Sequence, residues 1–215
     1  MLKNILKHAV VLSFALGSSV VLANTYNFTQ ITSNGNQSVA TQLTAEVTQS
    51  GSNVLFTFKN SSVIASSITD IYFDYGKTNF FSSVSNNVLG AAGDSTGVSF
   101  ADGANPSNLP SGNNIGFSAD ASGDSNAPTS SNGVNTSSEY VSFLGTSLTG
   151  VTFANVLAGL DSGAFRLGLH VQSIGQVGGS EAFVTSTPSA VPLPAAGWLF
   201  GSALVGLMGL SRRKL

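Results

Sequence analysis

The sequence predicts an all-β domain, an antiparallel β-sandwich or jelly roll with one short helix, joined to a single C-terminal transmembrane helix. Three observations predict it. Apolar and polar residues alternate with period 2 through much of the chain, as half-buried strands require. Turns rich in Gly, Ser and Asn separate these runs at short intervals. Residues 191–210 carry no charge and number 20, close to the minimum that spans hydrocarbon as a helix.

Taken in order, residues 1–23 read as a secretory signal peptide. Lys3 and Lys7 supply a positive start, Ala9 to Val21 a short apolar stretch, and Val21-Leu22-Ala23 a cleavage site after Ala23. A stretch of about a dozen residues is too short for a membrane anchor. The domain proper is predicted over 24–190. Its clearest element is a hairpin in which Leu43, Ala45 and Val47 alternate with polar residues. A turn over Gln49–Asn53 follows, and then Val54, Phe56 and Phe58. A third strand runs from Ile68 to Tyr75, with Ile71, Phe73 and Tyr75 on one face and Tyr72 and Asp74 on the other. Further strands are predicted at Tyr140–Leu144, Ala164–Ile174 and Glu181–Thr185. Thr152–Leu160 is the one helix, ended by Asp161-Ser-Gly163. Between about 90 and 138 the chain is rich in Gly, Ser, Asn and Pro, which predicts long ordered loops. Val98-Ser-Phe100 and Ile115–Ala119 are strand-like islands within them.

Charge excludes one class of partner. The predicted ectodomain carries Lys59, Lys77 and Arg166 against ten acidic residues, a net charge of −7. Such a surface repels phosphate backbones, so no nucleic acid is expected to bind. The chain has no cysteine, and the ectodomain has a single histidine, His170. Thiol nucleophiles and cysteine metal clusters are therefore absent, and a domain of this size can fold without disulfides.

The tail has its own order. Val191-Pro192-Leu193-Pro194-Ala195 precedes the apolar run, Trp198 opens it at the interface, and Arg212, Arg213 and Lys214 follow it as a positive-inside membrane stop. This arrangement resembles the PEP-CTERM sorting domain in its VPLPA variant. The resemblance covers about 25 residues, and Leu193 stands where the namesake motif has Glu. It implies export from a Gram-negative bacterium by signal peptidase and the general secretion machinery. It also implies a transient stay in the inner membrane, removal of the tail by an exosortase, and a destination at the cell surface or in an exopolysaccharide matrix. A second stretch is similar to the ectodomains of a group of PEP-CTERM proteins with no established activity. It comprises Asn105–Phe117, Gly133-Val-Asn135, Arg166–Gln172 and Gly178–Glu181. Their pattern has a Trp shortly after the Gly-Val-Asn segment, where this chain has Ser138-Glu139-Tyr140.

The acidic residues offer two kinds of site. Asp70, Asp74, Asp94, Asp102, Asp120 and Asp124 include the loop carboxylates that calcium favours, although no Asp-x-Asp-x-Asp-Gly loop occurs. Solvated turn residues are the plainer reading. A glycosidase pair could be drawn from Asp70 and Asp74, or from Glu139 and Glu181, with Tyr72, Tyr75 and Tyr140 as sugar platforms. His170 and Arg166 lie on one face of a strand, and Asp161 or Glu181 is the expected partner of Arg166. The sequence points to a non-enzymatic structural or adhesive protein of the surface or biofilm matrix, with no cofactor and no confident metal site. A carbohydrate- or calcium-binding β-sandwich module is the alternative.

Overall fold

The computed structural model describes residues 23–35, 37–86 and 93–186. Ten strands run through them: Asn24–Gln30 (β1), Leu43–Ser50 (β2), Asn53–Asn60 (β3), Ser67–Asp74 (β4), Phe81–Asn86 (β5), Phe100–Asp102 (β6), Ala121–Ser125 (β7), Tyr140–Ser147 (β8), Arg166–Ile174 (β9) and Gly179–Thr185 (β10). All join one antiparallel sheet in the order β5-β8-β3-β2-β1-β10-β9-β4-β7-β6.

Strand β1 makes this one sheet where two were expected. Asn24–Asn27 pair with β2, and Phe28–Gln30 pair with β10. The sheet therefore continues through β1 and curls until its two ends meet. There the Asn86 backbone N–H donates to Asp102 Oδ1 at 2.7 Å, and the Phe100 ring packs edge-on against Phe143. The result is a nearly closed barrel, which leaves little free sheet edge.

Phenylalanine fills the interior. Phe56 meets Phe73, Phe81 and Phe165 edge-to-face, with centroids 5.4, 5.7 and 5.7 Å away. Such T-shaped pairs place a positive ring edge on a negative face and add to the gain from burial. Where rings crowd the wall, the strands carry glycine. A Cβ on Gly123 in β7 would overlap the Phe143 ring, and one on Gly145 in β8 would lie 2.7 Å from Phe81.

The predicted hairpin forms, and its turn is tighter than expected. Strands β2 and β3 pair in continuous register from Leu43↔Asn60 to Ser50↔Asn53, leaving only Gly51 and Ser52 to turn. Gly51 takes φ +63°, which a glycine tolerates at the first central position of a two-residue hairpin turn. The predicted helix also forms, over Phe153–Ser162 (α2), after a four-residue helix at Thr129–Asn132 (α1) that the sequence did not suggest. Thr152 and Asn155 cap α2 reciprocally, and Gly163 ends it at φ +74°. The strand-like islands fare differently. Only Phe100 of the first enters a strand, and the second is a 3-10 turn over Gly112–Ile115 followed by a loop.

Strand β4 is buried on both faces. Its inner residues join the main core. Its outer face is covered by the 103–119 segment, whose Leu109 and Phe117 pack with Tyr72 and Ala182 into a second apolar cluster. Gly168 on β9 allows this segment close approach, since a Cβ there would lie 3.0 Å from Leu109 and Phe117.

Among the described residues no helix is long and apolar enough to cross a membrane. The expected span, the 191–195 motif, Arg212, Arg213, Lys214 and the apolar part of the signal peptide lie outside them. Ala23 is described and exposed, immediately before β1.

Candidate functional site

The outer face of β7, β4 and β9 gathers most of the chain's chemistry. In a strand, residues four apart point the same way, so Asp70 and Asp74 share one face of β4, and Arg166 and His170 share one face of β9. The register sets Asp70 opposite His170 and Asp74 opposite Arg166. On the other side Asp70 lies opposite Asp124 of β7. The outcome is a transverse row, Asp124–Asp70–His170, with an Asp74–Arg166 pair four residues further along β4.

Asp70 Oδ2 lies 2.8 Å from His170 Nδ1 and also accepts the Thr69 hydroxyl at 2.9 Å. Asp124 lies directly across the strand pair from Asp70, close enough for the two carboxyl groups to interact. Burial and the charge of Asp70 push Asp124 above the usual carboxylate range, against a lowering contribution from the Asn105 backbone N–H. Tyr72 lies on the same face. It donates to the Pro106 carbonyl at 3.0 Å, and burial foremost, then the Asp70 and Asp124 charges, push its phenol up. The row thus holds the base of the 103–119 segment.

The second pair holds its far end. Arg166 donates from Nε and one terminal nitrogen to Asp74 Oδ2, and reaches the carbonyls of Ile115 and Gly116. Its guanidinium lies 5.2 Å from the Phe117 ring centroid. The expected partners of Arg166 are therefore corrected. Asp161 instead accepts the Tyr26 hydroxyl at 2.9 Å, and Glu181, fully buried, accepts Thr32 Oγ1 and the Asn34 backbone N–H.

The six carboxylates considered for calcium fall into three separate places. Asp70 and Asp124 sit in the row. Asp74 and Asp120 line one cavity, where Asp120 Oδ2 accepts the Tyr75 N–H at 2.7 Å. Asp94 and Asp102 both bind Asn86 at the seam of the barrel. Among the described residues no three acidic or histidine side chains are arranged to hold a metal ion. The residues considered for hydrolase pairs are likewise engaged within the fold. Asp70 and Asp74 each face a basic partner, while Glu139 braces a turn through the N–H groups of Asn135 and Thr136. As stacking platforms Tyr72 and Tyr75 are corrected too, because both rings are buried.

Two cavities adjoin at one end of the barrel and open to solvent. One of about 400 Å³ includes Tyr75, Asn79, Ser82 and Ser83 in its lining; the other, of about 550 Å³, includes Asp74, Ser118 and Arg166. Gly76, Lys77, Thr78 and Asp120 line both, so they form one trough over the β4–β5 turn. Sequence reading missed the trough because its walls come from segments more than 30 residues apart. It did single out all four residues of the two cross-strand pairs, and their matching four-residue spacing was the available signal.

No family model, curated protein or solved structure matches the chain. The fold and site together define an antiparallel β-barrel-like domain whose outer face is braced by buried acid–base pairs.

Proposed function

We infer that this is an exported, non-enzymatic structural or adhesive protein, sorted by an exosortase to the cell surface or extracellular matrix of a Gram-negative bacterium. Signal peptidase would cut after Ala23 and leave β1 intact, since that strand begins at Asn24. The 191–215 tail would hold the chain in the inner membrane until the exosortase removes it. The barrel-like ectodomain then acts as a structural module, in contact with exopolysaccharide.

One observation of geometry carries the non-enzymatic part. All ten acidic residues of the chain lie among the described residues, and each accepts a hydrogen bond or ion pair from the protein itself. General acid–base and calcium chemistry both need carboxylates free to meet a ligand, whereas most of these are engaged by groups of the fold, several of them holding loops to the sheet. That supports a scaffold over a hydrolase.

Fractionation of the native host tests the sorting claim. Wild-type cells should yield the protein in the surface and medium fractions, and cells lacking the exosortase should retain it in the inner membrane. Equal distribution in the two strains would overturn this reading.

A further inference from the structure

The trough over the β4–β5 turn contains two groups that the fold leaves unused. Tyr75 is 8 % exposed, and its ring is wedged edge-on against Phe81 and Phe165, with centroids 5.5 Å away in both cases. Its backbone N–H is taken by Asp120, its hydroxyl bonds no protein group among the described residues, and the residue is part of the lining of the 400 Å³ cavity. With its ring buried, the hydroxyl is left to bond solvent or a ligand. Burial foremost, and then the nearby Asp120 charge, push Tyr75 up, so it stays a donor across the physiological range. Lys77 is the second group. Among the described residues Lys59, Arg166 and His170 each face a carboxylate, whereas Lys77 stands exposed on the turn without an ion pair.

The turn that presents both groups is fixed. Gly76 takes φ +60°, its N–H donates to Asp74 Oδ1 at 2.9 Å, and a Cβ there would lie 2.9 Å from the Ala164 carbonyl oxygen. Asp120 uses Oδ2 on Tyr75 and leaves Oδ1 to accept. A rigid hydroxyl donor, a mobile ammonium, a carboxylate oxygen and the hydroxyls of Thr78, Ser82 and Ser83 thus line one open channel. Both cavities lie within the roughly 300–1,000 Å³ typical of small-ligand sites.

We propose that this trough binds a neutral oligosaccharide, with the Tyr75 hydroxyl and Lys77 donating to sugar oxygens and Asp120 accepting from a sugar hydroxyl. Mixed donors and acceptors suit a sugar chain, whose free hydroxyls each offer both functions. An open trough suits a chain threaded across it, whereas a closed pocket would suit a single ring. A polyanion is disfavoured, because the domain carries a net charge of −7 and Asp120 faces the ligand. Recognition runs through the edge of Tyr75, not through stacking on its face.

The inference deepens the adhesive part of the proposed function and is independent of how the tail is processed. The test is calorimetric titration of the full chain in a zwitterionic detergent, since sugar-headed detergents would compete. Neutral gluco- and manno-oligosaccharides form one arm and oligogalacturonate the other. Saturable binding in the neutral arm is expected, weakened about five- to tenfold by Tyr75→Phe and by Lys77→Ala. Tyr75→Phe keeps the ring and its contacts, so an unchanged melting profile separates lost binding from lost folding. Absence of binding in the neutral arm, tighter binding of oligogalacturonate, or neutral binding undiminished in both variants would each overturn the proposal. None of these results bears on exosortase sorting, which the fractionation above tests separately.

Discussion

Asp70 shows how a single residue can be both a liability and a fastener. A carboxylate only 2 % exposed is costly to bury unless it is paired, and here His170, Thr69 and Asp124 surround it. Asp124 bears the strain of that arrangement, because its own ionisation would place two negative charges side by side. Its raised pKa fixes the sign of a pH effect. The folded chain keeps a proton on Asp124 at pH values where the unfolded chain has lost it, so this residue's contribution to stability declines as pH rises out of the usual carboxylate range. Asp124→Asn removes the charge and retains a side chain able to bond Asp70. In urea melts the variant should gain on wild type as pH rises out of the usual carboxylate range. A difference that stays constant, or that shifts toward wild type, would contradict the assignment.

At the scale of elements, the parts legible in the sequence were those whose own residues determine them. The β2–β3 hairpin follows from strict alternation around Gly51, and α2 from the Thr152 and Asn155 cap with Gly163 behind it. Strand β7 was not legible. Asp120-Ala-Ser-Gly-Asp-Ser125 reads as polar loop, and its inward position is Gly123 because the Phe143 ring occupies the space a side chain would need. Partner strands far along the chain override local propensity there. Strands β1 and β5 were missed for a related reason, since each earns its place by closing the barrel. The site was legible as residue types and hidden as pairs, because register between β4 and β9 depends on how the whole sheet curls. Gly123→Ala tests the packing account. It should cost about 1–3 kcal/mol through overpacking against Phe143, measured by denaturant unfolding; a cost near zero would mean the β7–β8 contact is loose.

In the molecule as a whole, the described residues form a barrel-like domain in which most charged side chains are ion-paired or hydrogen-bonded within the protein. The sequences of the two ends are the ones expected to direct export. The ectodomain keeps three of the eight basic residues and all ten acidic ones, and the sole Trp lies in the tail. Among the described residues, such a body has acid–base pairs bracing its outer face and an open trough at one end. Its tail is disposable on this account, and that is the central claim. The most direct measurement is the intact mass of the protein recovered from the surface fraction of its native host. The account predicts a chain that begins at Asn24 and lacks Trp198 onward. A mass that still includes the segment from Trp198 to Leu215 would contradict it.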